Sequence, residues 1–499
     1  MEKFLKIEIL MVSRGLKGEP MIDETILEHI VARGVKLGAS YVEARYHKHS
    51  GSYAVTRMNK TISVGRVFSE GVAIRVLVKG SLGFASTNNV SKDSLERTLE
   101  KAVSRAKAFS YMYTEPISFA DVKTVTYSYE VEPVKDFNNV SIGEKIGFYK
   151  EVYNSLRTSL VQSKLRSLVI EYFDDVEEKV IVTSEGSIVK SSIPRIYVFY
   201  NFTLHTPEKG TIQRMYELGA SGGLELLDKW DIVSRVLEEA KTLEKVLLKG
   251  KSPPKGKVDV VLGSEIVGLM VHESAGHPSE ADRILGREAA QAGESFIRKG
   301  MLGKRIGSEV STVIDDPTIP GSYGYYLYDD ECVKAKPKYL YKNGIINEHL
   351  HNRWTAKVFN TVSNGSARAM DYTSEPIIRM SNTYFKPGDY SFEELLEDIR
   401  VGVYIKSYME WNIDDVRWSQ RYVGLEAYLI ENGEIKEPTR NPVIELTTKG
   451  FYESVDAADK SLEFHAGTCG KGEPHQGVPV WFGGPNVRLR NIVLGVAPY

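Results

Sequence analysis

The stretch that most restricts how this chain can fold is residues 271–279, V-H-E-S-A-G-H-P-S. It sets His272, Glu273 and His277 within six residues. Imidazole nitrogens are the commonest protein ligands for zinc, and an adjacent carboxylate can serve as a base toward water activated at a metal. On a regular helix, residues four apart diverge by roughly 40° and residues five apart by roughly 140°. The two histidines are five apart, so an undistorted helix points them away from a shared ion. Pro278 has no N–H, which leaves the Ser274 carbonyl without its usual helical donor, and it pushes His277 off helical angles. A widened turn, in which the Ser279 N–H reaches the Ser274 carbonyl, would satisfy that acceptor and rotate His277 back toward His272. Gly276 lowers the cost of such a distortion. The pattern predicts a helix from about Glu265 that is bulged or broken between Ser274 and Ser279.

The rest of the chain divides at residues 250–257, G-K-S-P-P-K-G-K, where two prolines among lysines and glycines suit neither a helix nor a central strand. We expect an N-terminal domain over residues 1–250 and a catalytic C-terminal domain over 256–499. Apolar residues at helical spacing predict helices over 22–37, 91–109, 141–160 and 230–248. Between them, short β-rich runs such as 41–46, 53–57, 61–67, 71–78, 167–173 and 178–183 predict an antiparallel sheet. This half shows no clustered metal-type residues; His47 and His49 alternate along a strand and read as a solvated face. In the second half, residues 258–262 predict a strand that leads into the motif helix, and 281–298 a further helix. Two hairpin signals follow, Asn343-Gly344 and Asn432-Gly433, with a short helix over 391–400 between them. The expected fold class is α+β: an N-terminal α/β domain with an antiparallel sheet, and a β-rich, barrel-like C-terminal domain carrying the motif helix.

Composition narrows the partners. Lys plus Arg number 64 against 66 Asp plus Glu, so no basic excess argues for nucleic acid. Two cysteines in 499 residues rule out a disulfide framework and fit a reducing, cytoplasmic setting. No stretch approaches 18 uncharged apolar residues, which argues against a membrane span. Residues 1–20 show no clear period and read as a frayed start.

A catalytic zinc takes three protein ligands and a water. Beyond His272 and His277, the candidates for the third ligand are Cys469, His465, His475, Cys332 and an acid such as Glu288. Cys469 stands in A-G-T-C-G-K-G, where glycines let a loop approach another element closely; the competing reading is a buried structural thiol. Cys332 falls in an apparent strand, residues 328–333, and is expected to pack there.

Taken together, the H-E-x-x-x-H segment, D-D-E at 329–331, R-M-S-N-T-Y at 379–384, E-A-Y-L-I-E-N-G at 426–433, the Cys469 loop and the text of residues 71–89 resemble the TldD subunit of the TldD/TldE (PmbA) metallopeptidases. The resemblance runs from about Ile22 onward. It implies zinc held by His272, His277 and Cys469, with Glu273 as general base. It also implies pairing with a TldE-type subunit, or with a second copy, and peptides entering an enclosed cavity. Residues 403–425 depart from the Gly-rich bacterial pattern, so substrate preference does not transfer. The reading favoured is a zinc metallopeptidase acting on short or unfolded peptides. The alternatives are a zinc amidohydrolase acting on a small modified substrate, and a peptide-binding subunit with structural zinc. Arg379, Tyr384 and the pair Asp329–Asp330 are candidate oxyanion stabilisers, each more readily explained as structural.

Overall fold

The computed structural model describes residues 22–112, 115–287, 293–472 and 475–497. Residues 1–20 and Glu288 lie outside the described residues.

The first half is built on one seven-stranded sheet. Its strands run in the order Ser81–Thr87, Lys60–Val78, Tyr41–Arg57, Lys164–Thr183, Ile188–Thr206 and Thr126–Glu130, with Gly210–Ser221 also paired to Ile188–Thr206. All neighbours are antiparallel except Thr126–Glu130, which runs parallel to Ile188–Thr206. Three of these strands, Tyr41–Arg57, Lys60–Val78 and Lys164–Thr183, fuse pairs of runs that the sequence separates. Gly51, read as a break, lies inside a strand where a Cβ would sit 1.9 Å from the Asp174 carbonyl oxygen. Gly71 likewise lies within Lys60–Val78, against Tyr372. Both glycines mark close approach of neighbouring groups, not a turn.

Each end of this long sheet is covered by a helix pair. Glu24–Lys36 and Lys92–Phe109 bury Leu27, Ile30, Leu95 and Leu99 against Val42, Ile74 and Val76. Phe148–Ser159 and Ile232–Lys249 bury Val152, Leu156, Val236 and Leu243 against Ile170, Val198 and Phe202. The helix expected over 141–160 breaks into Ile142–Lys145 and Phe148–Ser159; the first piece starts with a Ser141–Glu144 capping box.

The second half holds a six-stranded and a nine-stranded sheet. The strand Lys257–Leu262 lies inside the larger sheet and delivers the chain through Gly263 into the helix Ser264–Val271. Ile266, Val267 and Met270 of that helix share one apolar core with Val260 and Leu489 of the larger sheet and with Phe385, Val480 and Phe482 of the smaller. The metal-motif helix is thus enclosed by curled sheets of a mixed α+β fold. Both hairpin signals form turns, with Asn343, Gly344, Asn432 and Gly433 at positive φ.

Two expectations fail here. Residues 281–298 do not form one helix: Ala281–Ile284 is helical, and residues 293–298 are irregular. Cys332 is not in a strand but at φ 60°, in a turn bridged by Tyr328 and Lys334. The Asp329 carboxylate holds that turn by accepting from the N–H groups of Glu331 and Val333.

The two halves are joined by buried charge. Arg214 grips Glu265 of the motif helix with two hydrogen bonds of 2.7 and 2.9 Å, and Arg75 reaches Glu331 at 2.9 Å. Among the described residues, no helix is long and apolar enough to cross a membrane.

Candidate metal centre

The helix Ser264–Val271 does not continue as an α-helix. Residues His272–Gly276 form a π-helical turn, followed by a 3-10 turn at His277–Ser279. The His277 N–H donates to the His272 carbonyl, five residues back. One extra residue in the turn places the two histidines one above the other, with ring centroids 5.0 Å apart. The widened turn thus forms about where the spacing requires, but through a different pair of groups. The Ser274 carbonyl is satisfied by the Tyr341 hydroxyl at 2.9 Å. Gly276 has ordinary helical angles, φ −60° and ψ −69°, so conformational freedom is not its role. A Cβ there would sit 1.9 Å from Met380 Sδ, and the glycine makes room for the core.

Cys469 comes from the strand Glu463–Lys471, which pairs with Gln476–Gly484 under the motif helix. Its Sγ lies 3.6 Å from His277 Nε2. One donor atom from each of His272, His277 and Cys469 falls within 4.8 Å of the others, and all three residues are buried. Arg379 holds the sulfur-bearing backbone in place, donating to the Cys469 carbonyl and, at 2.9 Å, to that of Gln476.

The electrostatics suit a metal ligand set. Burial would raise the Cys469 thiol, but His277, Arg379 and His272 outweigh it and hold the thiol well below its ordinary value. Burial, only partly offset by Cys469, holds His277 well below the usual imidazole range, so it is neutral at pH 7. Its Nδ1 lies 3.0 Å from Glu280 Oε2, and a carboxylate can only accept. The proton therefore sits on Nδ1, and the Nε2 lone pair faces Cys469. Glu280 is itself fixed by Arg283, with Lys471 3.4 Å away. His272 Nδ1 is buried without a hydrogen-bond partner in the protein. A neutral His277, a depressed thiol beside His272, whose imidazole is raised, against the effect of burial, by Cys469 and Glu273, and an orphaned ring nitrogen fit a nitrogen- and sulfur-binding divalent ion.

The other candidates go elsewhere. His465 is held between the Tyr216 hydroxyl at 2.7 Å and the Ser264 hydroxyl at 3.0 Å. His475 stands beside Gly470 and does not join the donor cluster. Asp330 pairs with Lys179, and Tyr384 packs its ring on Phe464.

His47 and His49 are not on a solvated face. His47 is wholly buried, and with His49 and Glu177 it forms a second close donor cluster. Glu177 is already committed to Lys179 at 2.9 Å and Arg195 at 2.6 Å, cations that disfavour an ion there. A cavity of about 170 Å³ beside this network is lined by Phe173, Tyr197, Tyr323 and Arg368, and by none of His272, Glu273, His277 or Cys469.

Glu273 is buried and ion-paired with Arg417, from the turn between the strands Tyr408–Ile413 and Ser419–Gly424. Sequence reasoning missed both Arg417 and Glu280. Glu280 had a signal, an acid three residues beyond His277 on the same turn. Arg417, 144 residues from Glu273, had none.

Three family models match the chain: PmbA/TldA metallopeptidase domain 1 over residues 42–106, the central domain over 135–244 and the C-terminal domain over 255–495. A metalloprotease of Methanocaldococcus jannaschii is 35% identical over 448 residues, covering 90% of this chain and 95% of that protein. A Saccharolobus solfataricus protein named zinc metalloprotease TldD homolog is 29% identical, over 93% of this chain and 98% of its own. The crystal structure of TldE from Thermococcus kodakarensis superposes with a TM-score of 0.70 at 17% identity, covering 94% of this chain and all of that one.

Proposed function

Because the chain belongs to the PmbA/TldA metallopeptidase family, we propose that it is a zinc peptidase of the H-E-x-x-x-H type. His272, His277 and Cys469 hold the ion, Glu273 is the general base, and the substrates are short or unfolded peptides. The observation that carries this reading is the gathering of three buried donors within 4.8 Å by an irregular turn and a strand 192 residues away. The S. solfataricus relative's name points to zinc, as does the donor set.

Bound zinc supplies Lewis-acid polarisation of the scissile carbonyl and a water nucleophile at neutral pH. Glu273 takes the proton of the attacking water and passes it to the leaving amine. Glu280 keeps the Nδ1 proton on His277 and so holds Nε2 free as a donor. Burial of His272, Glu273, His277 and Cys469 strengthens the electrostatic interactions among them. The two halves of the chain, 1–250 and 256–499, act as two domains, the second carrying the site. A TldE-type chain or a second copy of this chain completes the assembly, by analogy with the fold shared with TldE.

Chelation tests the reading directly. Dialysis against a strong chelator abolishes hydrolysis of a fluorogenic unfolded casein, and one equivalent of zinc restores it. Hydrolysis that persists without metal would exclude the assignment.

The role of Glu280 is tested separately. Outer-shell partners of ligating histidines are worth about 10–100-fold in metal affinity. Glu280→Gln should weaken zinc binding by that factor in a chelator competition, leaving one site per chain.

A further inference from the structure

Glu273 carries a cation on its carboxylate. Arg417 Nη1 donates to Glu273 Oε2, and the two side chains are 8% and 5% exposed. Arg417 belongs to the turn between the strands Tyr408–Ile413 and Ser419–Gly424. It has φ 66°, a left-handed conformation uncommon for a residue with a long side chain.

The surroundings over-determine that conformation. The Arg417 N–H donates to the Asp414 carbonyl at 3.1 Å, and its own carbonyl accepts from Thr448 Oγ1 at 2.7 Å. The Asp414 carboxylate accepts from the N–H groups of Trp418 and Ser419 at 2.7 and 3.0 Å. From the other side, the Glu294 and Phe296 N–H groups donate to the carbonyls of Asp415 and Val416, and the Phe296 ring packs on Trp418. A sparsely populated backbone conformation held this firmly, and aimed at the base, is the pattern found at functional positions.

We propose that Arg417 is a catalytic residue: its guanidinium holds Glu273 in the peptide-free chain and donates to the scissile carbonyl oxygen when a peptide binds. The proposal rests on the reading of Glu273 as general base. As the water oxygen bonds to the carbonyl carbon, one water proton passes to Glu273 and the C=O π pair moves onto the carbonyl oxygen. Arg417 N–H groups donate to that developing anion. When the carbonyl reforms, the C–N bond breaks and Glu273 returns the proton to the amine nitrogen. A guanidinium suits the task because it is planar and presents several donors in a fixed fork. The rival donors are placed for other work. Arg379 is engaged by the carbonyls of Cys469 and Gln476, and Tyr384 packs against Phe464.

The test uses the zinc-loaded full chain and fluorescently labelled oxidised insulin B chain. A preorganised oxyanion donor contributes about 10²–10³ in kcat. Arg417→Ala should lower kcat by that factor and raise KM about tenfold with zinc content unchanged, and Arg417→Lys should recover part of the loss. A second readout needs no turnover: in the Glu273→Gln background, adding Arg417→Ala should weaken peptide binding, measured by anisotropy, at least about tenfold. Arg417→Ala with wild-type or higher kcat would overturn the proposal. So would equal losses in the Ala and Lys variants with unchanged peptide affinity, since those mark a purely structural role. Hydrolysis by Glu273→Gln at the wild-type rate would instead sink the base assignment, and this proposal with it.

Discussion

Glu273→Gln retains zinc and loses hydrolysis. The substitution keeps size and shape, and Gln still offers Arg417 a carbonyl oxygen in the place of Glu273 Oε2. What it removes is the carboxylate assigned as the base, next in sequence to His272. General-base catalysis contributes about 10²–10⁴ in rate, so kcat should fall by at least about a hundredfold. Zinc stoichiometry should stay at one per chain, because the donors are His272, His277 and Cys469. The variant also leaves a buried guanidinium facing a neutral partner, a desolvation cost of about 1–3 kcal/mol. Thermal unfolding therefore has to accompany the kinetics, so that a drop in kcat is scored on folded protein. An enzyme that cleaves casein at the wild-type rate with Gln at 273 would end the base assignment and leave the metal cluster standing.

What the sequence made legible here was chemistry that constrains itself locally. Two histidines five apart cannot share an ion on a regular helix, so the residues themselves demanded a widened turn, and a π-helical turn is there. The details that escaped depend on distant partners. Pro278 shows that the Ser274 carbonyl lacks its usual donor, but nothing local shows that Tyr341, 67 residues on, supplies a hydroxyl instead. Gly276 looks like a flexible joint, yet its reason is Met380.

The failed helix over 281–298 has the same origin. Its alternating charges look like a solvated face, but Asp282 and Arg283 are buried, paired with Lys471 and Glu280. Further on, the Ser295 hydroxyl donates to the Pro278 carbonyl, so the segment is spent on bracing the irregular turn. In the long sheet, β-rich runs located the strands other than Thr126–Glu130, which the sequence did not show, while glycines that admit a neighbouring backbone or ring were mistaken for ends. Arg417 is the extreme case. Only the folded chain brings it to Glu273.

Cys469→Ser is the variant with the greatest consequence for the whole molecule, because it tests whether a distant strand completes the site. Serine is nearly isosteric, but its hydroxyl is a poor replacement for a thiolate, and the buried site would keep only two imidazoles. Loss of an outer-shell partner already costs about 10–100-fold in metal affinity, so loss of a ligand should exceed a hundredfold. The wild-type chain should show a zinc-dependent rise in its unfolding temperature. A ligand at a thousand times its Kd stabilises the folded state by about 4.1 kcal/mol, and the variant should lose most of that increment at the same zinc concentration. Zinc analysis after gel filtration should find the metal absent from Cys469→Ser and present at one equivalent in wild type. The alternative donors make poor substitutes: His465 is already bound by Tyr216 and Ser264, and freeing it would cost both hydrogen bonds. Full zinc occupancy in Cys469→Ser, with the same affinity, would mean that the sulfur is a packing residue and that the third ligand must be sought elsewhere.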